Sequence, residues 1–314
     1  MQVAIVGGGI CGLYLAWKLA ERKEKVVLFE KKSKIGKECC SGLISERILD
    51  FIPQSREVVE NEIDFCILHF PKKTLKIKFS KKILVIDRVK LDNLVAKLAQ
   101  KSGAKIILGK EIKKENFENL KEKFNKIVGC DGANSFVRKI LSLKERQNFR
   151  LSLKMEISQK DFSNFVQTWI TPQGFLWKIP RGKKIEYGII ENPKKALFLF
   201  KEFLNKNNIK LEKIKSALIY QDFFLPSNKK ITLCGEAVGL TKPWSGGGVI
   251  WSLICAEIFL KNFPDFLKYK KELKKFFLFK ILTSKIVTKL VYLLGTNFSF
   301  VFPKNCQIET DFLL

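Results

Sequence analysis

The stretch VAIVGGGICGLYLAWKLAERKEKVVLFE, residues 3–30, decides the fold class. An apolar strand (Val3 to Val6) runs into Gly7, Gly9 and Gly12 and then an amphipathic helix, after which a second strand (Val26 to Phe29) delivers Glu30. Each residue type has a mechanical reason. Gly7 makes a tight turn, Gly9 lets a pyrophosphate approach the backbone, and Gly12 lets the helix pack close against the sheet. The unpaired N–H groups at the helix start face the phosphates. Glu30 falls where an acidic side chain accepts both hydroxyls of an adenosine ribose, and its charge repels a 2′-phosphate. The pattern predicts a Rossmann-like dinucleotide site that takes FAD or NAD in preference to NADP. Taken alone, the glycines also fit a turn in an ordinary α/β unit.

A second glycine run, GEAVGLTKPWSGGGVIW at residues 235–251, reads as the other half of the same flavin site. Gly247 and Gly248 fall at a helix start, whose N–H groups can stabilise negative charge on a reduced flavin ring.

Over 314 residues, Lys plus Arg number 58 against 31 Asp plus Glu, a formal charge of +27. Such a charge attracts nucleic acid, an anionic membrane or acidic substrates. Only eight residues are arginine, and the lysines spread along the chain without the arginine and aromatic clusters of a nucleic-acid module, so no nucleic-acid partner is expected. The eight cysteines include no CxxC pair, so no metal site is expected; free thiols in a reducing cytoplasm are the simpler reading. The glycine turn occupies the start of the chain where a secretory leader would stand. No charge-free apolar run reaches the roughly 18 residues of a spanning helix, so the expectation is a soluble protein or one peripheral on the cytoplasmic face of the membrane.

Residues 63–79 alternate like two short strands around a turn at Pro71 to Lys73. A strand, a helix carrying Leu91, Leu94, Val95 and Leu98, and a further strand follow. KIVGCDGANSFVRKIL reads as strand, turn and helix. Between about 149 and 191 four short β-like runs suggest an antiparallel sheet, and 194–206 reads as a helix. The expected architecture is an α/β Rossmann-like FAD-binding domain, discontinuous over 1–62, 81–148 and 215–260. Into it is inserted an antiparallel-sheet substrate domain, 63–80 and 149–214, and a helical tail, 261–314, follows. Residues 261–295 of that tail carry nine lysines against Asp265 and Glu272 among apolar residues. They either lie on an anionic bilayer or dock as an amphipathic helix pair that closes the cavity.

Several ordered motifs resemble the geranylgeranyl reductase family, flavoproteins related in fold to p-hydroxybenzoate hydroxylase. The motifs are GGGICG with Glu30, CCSGL at 39–43, DRVKLDNLV at 87–95, GCDGANSFVRK at 129–139, FLWKIPRG at 175–182, and GEAVG with PWSGGGV. The resemblance covers roughly residues 3–256. It implies FAD contacts from Gly12, Glu30, Cys39, Cys40, Gly42, Arg88, Glu236, Gly248 and Val249, with Ile112 as a further backbone contact. Arg88 also reads as a surface arginine capping a helix. Three departures stand out: Glu236 replaces the usual Asp, Phe175 and Ile179 replace Tyr and Phe, and the tail is shorter and richer in lysine.

The chemistry implied is reduction of isoprenoid double bonds by FAD, in archaeal-type geranylgeranyl glycerolipids or related polyprenyl compounds. Phe165, Trp169, Phe175 and Trp177 are the candidate walls of an apolar substrate pocket, each also readable as a strand core residue. Cys39 is the candidate for tuning or proton delivery, or else a small thiol that packs. His69, the sole histidine, reads as structural. Electrons would come from a separate donor, a ferredoxin-like protein or NAD(P)H, because no second dinucleotide fingerprint is seen. A flavin monooxygenase-like oxidoreductase on an apolar substrate and a non-catalytic membrane-associated flavoprotein are the alternatives.

Overall fold

The structure is a computed structural model and describes residues 1–141 and 149–309. The chain opens with β1 (Gln2–Val6), α1 (Ile10–Glu21) and β2 (Lys25–Phe29), followed by β3 (Leu43–Ser45) and the short α2 (Ile48–Phe51). A long hairpin of β4 (Val59–Phe70) and β5 (Lys73–Ile86) leads into α3 (Arg88–Lys101), β6 (Lys105–Ile107), α4 (Lys114–Lys123), β7 (Lys126–Gly129) and α5 (Phe136–Ile140). Four strands come next: β8 (Phe149–Ile157), β9 (Phe165–Ile170), β10 (Phe175–Pro180) and β11 (Ile185–Glu191). The chain closes with α6 (Ala196–Lys206), β12 (Lys215–Tyr220), β13 (Ile231–Leu233), α7 (Val249–Asn262), α8 (Phe266–Asn297) and β14 (Asn305–Ile308).

Five short strands form a parallel sheet in the order β13-β7-β1-β2-β6. Parallel strands are covered on both faces, which is why β1 is apolar without alternation and Val3, Ala4 and Ile5 are fully buried. Against this sheet pack α1 and α7, helices apolar on nearly every side.

The second sheet runs β12-β8-β11-β10-β9-β4-β5-β14, with β3 added on β5. It is mixed, where the sequence predicted an antiparallel sheet: β4 pairs in parallel with β9, and β14 with β5. Between β4 and β9 the chain passes through the nucleotide-binding half, and such a long crossover can deliver a parallel neighbour where a hairpin cannot. The hairpin also outruns its expected span of 63–79. Its strands have 12 and 14 residues, with irregularities after Val59 and Ile63, and the ILVI run continues β5 instead of starting a new strand.

Alternation along these strands sorts two small cores. Leu153, Met155, Tyr187 and Ile189 face α6, whereas Ile63, Val85, Val166, Trp177 and Ile190 face the other way. In the tail, the helix pair expected over 261–295 is one 32-residue helix, α8, which follows α7. Its start is fixed by Asp265, whose carboxylate accepts the Leu267 and Lys268 N–H groups. Among the described residues no helix is long and apolar enough to cross a membrane. The expected domain boundary at 148 and the last five residues of the tail lie outside the described residues. β12, in the segment grouped by sequence with the nucleotide-binding portion, pairs with β8 in the mixed sheet.

Candidate functional site

The three glycines of the opening turn sit in three different environments. Gly7 has φ +109°, and a Cβ there would lie 2.4 Å from the Cys130 carbonyl oxygen. At Gly12 a Cβ would lie 2.1 Å from the Gly7 carbonyl oxygen, so α1 can approach the turn only without a side chain. Above Gly9 there is no atom within 4 Å of a Cβ position. Gly9 is also the N-cap of α1 and offers no capping side chain. The helix start therefore keeps N–H donors for an incoming anion. Glu30 is aimed at this turn, accepting the Gly8 N–H at 2.6 Å and the Lys32 N–H at 2.9 Å.

The late glycine run folds onto the same place. Gly235 has φ +69°, and a Cβ there would meet Cys11 Sγ at 2.8 Å and Ser252 Oγ at 3.2 Å. The first turns of α1 and α7 thus converge on one glycine, and α7 begins at Gly248, again without a side-chain cap. Gly247 and Gly248 stand where expected, at the start of α7, with Val249 as its first residue. Glu236 pairs with Lys37, Oε2 to Nζ 2.9 Å, and lies beside Gly132.

The CCSGL segment makes the third wall. Gly42 has φ +70°, and a Cβ would be 2.1 Å from the Ile86 carbonyl oxygen. Arg88 is buried, against its reading as a surface cap. Its Nη2 donates to Asp92 Oδ1 at 2.9 Å and its Nη1 to Cys40 Sγ at 3.4 Å, whereas its Nε is buried without a partner. The helix cap is instead Asp87, which accepts the Val89 and Lys90 N–H groups. Burial pulls the Arg88 pKa down, and Asp92 and Cys40 more than offset that, so it stays charged. Burial pushes the Cys39 thiol up to about 11, so it carries its proton at neutral pH. Ile112 is a core residue on the loop between β6 and α4. Among the described residues no group of side chains could hold a metal ion.

The four candidate pocket residues divide between the two faces of the mixed sheet. Phe175 and Trp177 share one face, with ring centroids 5.9 Å apart, next to Ile190 and the Gly246 turn. Trp169 points the other way, stacked on His69 at 4.9 Å and against Phe203 of α6, in a surface cleft of about 690 Å³. Phe165 stacks on Phe65 at 5.2 Å on that same side. Only Phe175 and Trp177 therefore stand on the face toward the CCSGL segment. His69 hydrogen-bonds Thr74 and Gln167.

Sequence reasoning missed a buried polar cluster on this face. Glu186 accepts from Trp177 Nε1 at 2.9 Å, Lys154 Nζ at 2.8 Å and Arg181 Nη1 at 3.0 Å. Lys154 reaches on to the Cys40 carbonyl and Arg181 to those of Ser41 and Ile86, so the cluster ties the CCSGL segment to the sheet. Arg181 is visible inside FLWKIPRG, but Lys154 and Glu186 look like ordinary strand charges until the strands are paired.

A dinucleotide fits these residues: an open approach over Gly9, two uncapped helix starts, and a buried Arg88 Nε in need of an acceptor. The fold is that of FAD-dependent reductases and halogenases, a Rossmann-like unit joined to a mixed sheet. Residues 5–54 match a family described as an NAD(P)-binding Rossmann-like domain. The chain is similar to digeranylgeranylglycerophospholipid reductase of Methanococcus vannielii, 24% identical over 82% of this chain and 75% of that protein. It is also similar to digeranylgeranylglycerophospholipid reductase 1 of Methanosphaera stadtmanae, 26% identical over 81% and 72%. Among solved structures, a geranylgeranyl bacteriochlorophyll reductase-like protein from Thermoplasma acidophilum superposes with TM-score 0.78 at 20% identity, covering 92% of this chain and 86% of that one. The halogenase PltM mutant in complex with FAD gives 0.71 at 14%, covering 95% and 77%.

Proposed function

We propose that the protein is an FAD-dependent reductase that saturates isoprenoid double bonds of geranylgeranyl-type glycerolipids or related polyprenyl compounds. The observation that carries this reading is the convergence of α1 and α7, both uncapped, on Gly235. Similarity to the digeranylgeranylglycerophospholipid reductases supports the substrate class.

When bound, FAD would supply the hydride that reduces an alkene carbon. Gly7, Gly9, Gly12 and Glu30 would hold its adenosine diphosphate end, Arg88, Gly42, Cys39, Cys40 and Ile112 its middle, and Gly247, Gly248 and Val249 its ring end, while Glu236, its carboxylate taken by Lys37, would stand beside the middle. The two helix starts favour negative charge placed against them. Cys39 holds a proton at Sγ at neutral pH and is the candidate donor to the second alkene carbon. Trp177, pinned by Glu186 and packed with Phe175, forms the rigid apolar wall that keeps water from the reacting bond. Electrons reach the site from a separate donor, a ferredoxin-like protein or NAD(P)H.

The exposed stripe of α8 rests on an anionic membrane surface in this reading. Phe279 (72% exposed), Leu282 (58%), Ile286 (59%) and Leu293 (55%) line one side of the helix, with Lys280, Lys285 and Lys289 beside them. The opposite side, with Phe277 and Ile281, packs inward.

The decisive experiment is mass spectrometry of a geranylgeranyl glycerolipid after anaerobic incubation with FAD-loaded, dithionite-reduced protein, with free flavin as control. Stepwise gain of two hydrogens per double bond is expected. Unchanged lipid with FAD bound would redirect the reading to an oxygen-using oxidoreductase, and unchanged lipid without bound FAD to a non-catalytic protein.

A further inference from the structure

The Lys37–Glu236 pair joins segments 199 positions apart and has a place no ordinary surface pair would have. Glu236 directly follows Gly235, the residue on which the first turns of α1 and α7 converge. Its carboxylate is only 19% exposed and faces the Gly132 turn. A bare carboxylate there would take up the field of both helix starts and repel a pyrophosphate entering over Gly9. Lys37 answers it at 2.9 Å, from the loop that follows Glu30. That loop is not free to carry the lysine elsewhere: the Lys37 backbone N–H donates to Asp92 Oδ2 at 2.9 Å, and the other oxygen of Asp92 takes Arg88. One buried carboxylate therefore fixes both cations, Arg88 with its unpartnered Nε and Lys37 with its ammonium on Glu236.

We propose that Lys37 is a positioning residue for the dinucleotide pyrophosphate: it neutralises Glu236 and holds that carboxylate off the two helix starts, which leaves their N–H groups and Arg88 to the phosphates. Lys37 acts through Glu236 and touches no phosphate. The pair also accounts for the glutamate at this position, since its extra methylene extends the carboxylate toward a partner on the opposite loop. The inference rests on the dinucleotide reading of the site.

The test is a double-mutant cycle read by binding, on the full chain. FAD, ADP and adenosine are titrated calorimetrically into the wild type, Lys37→Met, Glu236→Gln and the double variant. Losing one partly exposed countercharge should weaken FAD and ADP roughly fivefold to tenfold in Lys37→Met, with adenosine, which has no phosphate, unchanged. In the double variant, FAD and ADP affinity should return to within about twofold of wild type, because the charge that needed neutralising is gone. Lys37→Arg keeps the charge and should bind like wild type, which separates a charge effect from misfolding. A double variant as weak as Lys37→Met would mean that Lys37 contacts phosphate directly and would overturn the proposal. Equal losses for ADP and adenosine, or no loss at all, would overturn it too. A wild type that binds ADP but not FAD would end the flavin reading and leave the cycle to be decided on ADP. Binding of neither would end both.

Discussion

At the scale of single residues, Gly9 and Gly12 make opposite predictions although the motif treats them alike. An alanine at Gly12 places its Cβ against the Gly7 carbonyl, so Gly12→Ala should lose about 1–3 kcal/mol of stability by overpacking. Gly9→Ala meets nothing and its φ of −80° is ordinary, so the melting temperature should hold while FAD affinity falls about tenfold or more. Thermal melts and flavin-fluorescence titrations of the two variants read both quantities. Cys39 gives a pH prediction: with its thiol raised to about 11 by burial, iodoacetamide labelling at Cys39, mapped by peptide mass spectrometry, should keep rising from pH 7 to 10. A plateau by pH 8 would show an activated thiolate instead. At this scale the sequence is informative where glycine has a steric duty inside a familiar turn, as at Gly7 and Gly12, whereas the close approaches at Gly42 and Gly235 appear only once the chain is folded. It is silent on Lys154 and Glu186, because nothing local distinguishes a strand charge that meets water from one that crosses a sheet to a buried partner.

At the scale of elements, strands and helices with strong periodicity are legible in the sequence, and their lengths are not. The β4–β5 hairpin reads short because Lys76, Lys78, Lys81 and Lys82 of KTLKIKFSKK fall on exposed positions of a strand that continues past them. The turn expected between α8 and a second helix does not exist, since Asp265 caps a single helix whose buried stripe runs on through Phe277 and Ile281. The outer stripe of α8 can be tested by itself. Phe279→Ser combined with Leu282→Ser and Ile286→Ser should reduce co-sedimentation with anionic vesicles by roughly tenfold or more, given the apolar area each side chain would bury, and leave FAD retention intact. Equal vesicle binding by the triple variant would assign the stripe to another partner. The mixed sheet carries a pH dependence of its own. Burial raises Glu156, but Lys154, Lys184 and Arg181 outweigh it and hold the carboxyl at about 2 against 4.5 unperturbed. A depressed carboxyl stabilises the fold above its unfolded pKa, and that contribution is lost as the pH falls from about 4.5 through about 2. Melting temperature should therefore fall over this window less steeply in Glu156→Gln than in wild type.

At the scale of the whole molecule, the two glycine runs mark one site in the amino-acid sequence itself, because both halves of a dinucleotide cleft carry steric signatures. The second sheet leaves weaker traces. Its parallel pair β4–β9 is a long-range choice that no local pattern encodes, and the split of Phe165 and Trp169 from Phe175 and Trp177 follows from register alone. The same topology sets a timetable. β1 stands at the centre of its sheet, yet β7 pairs with it only from residue 126 and β13 completes that sheet only at 231–233. A ribosome must therefore release most of the chain before the nucleotide cleft can close, and β4 waits for β9 in the same way. The newborn chain holds apolar strands such as Val3–Val6 without their neighbours for that interval, so refolding from denaturant should be slow and helped by early shielding of the first strand.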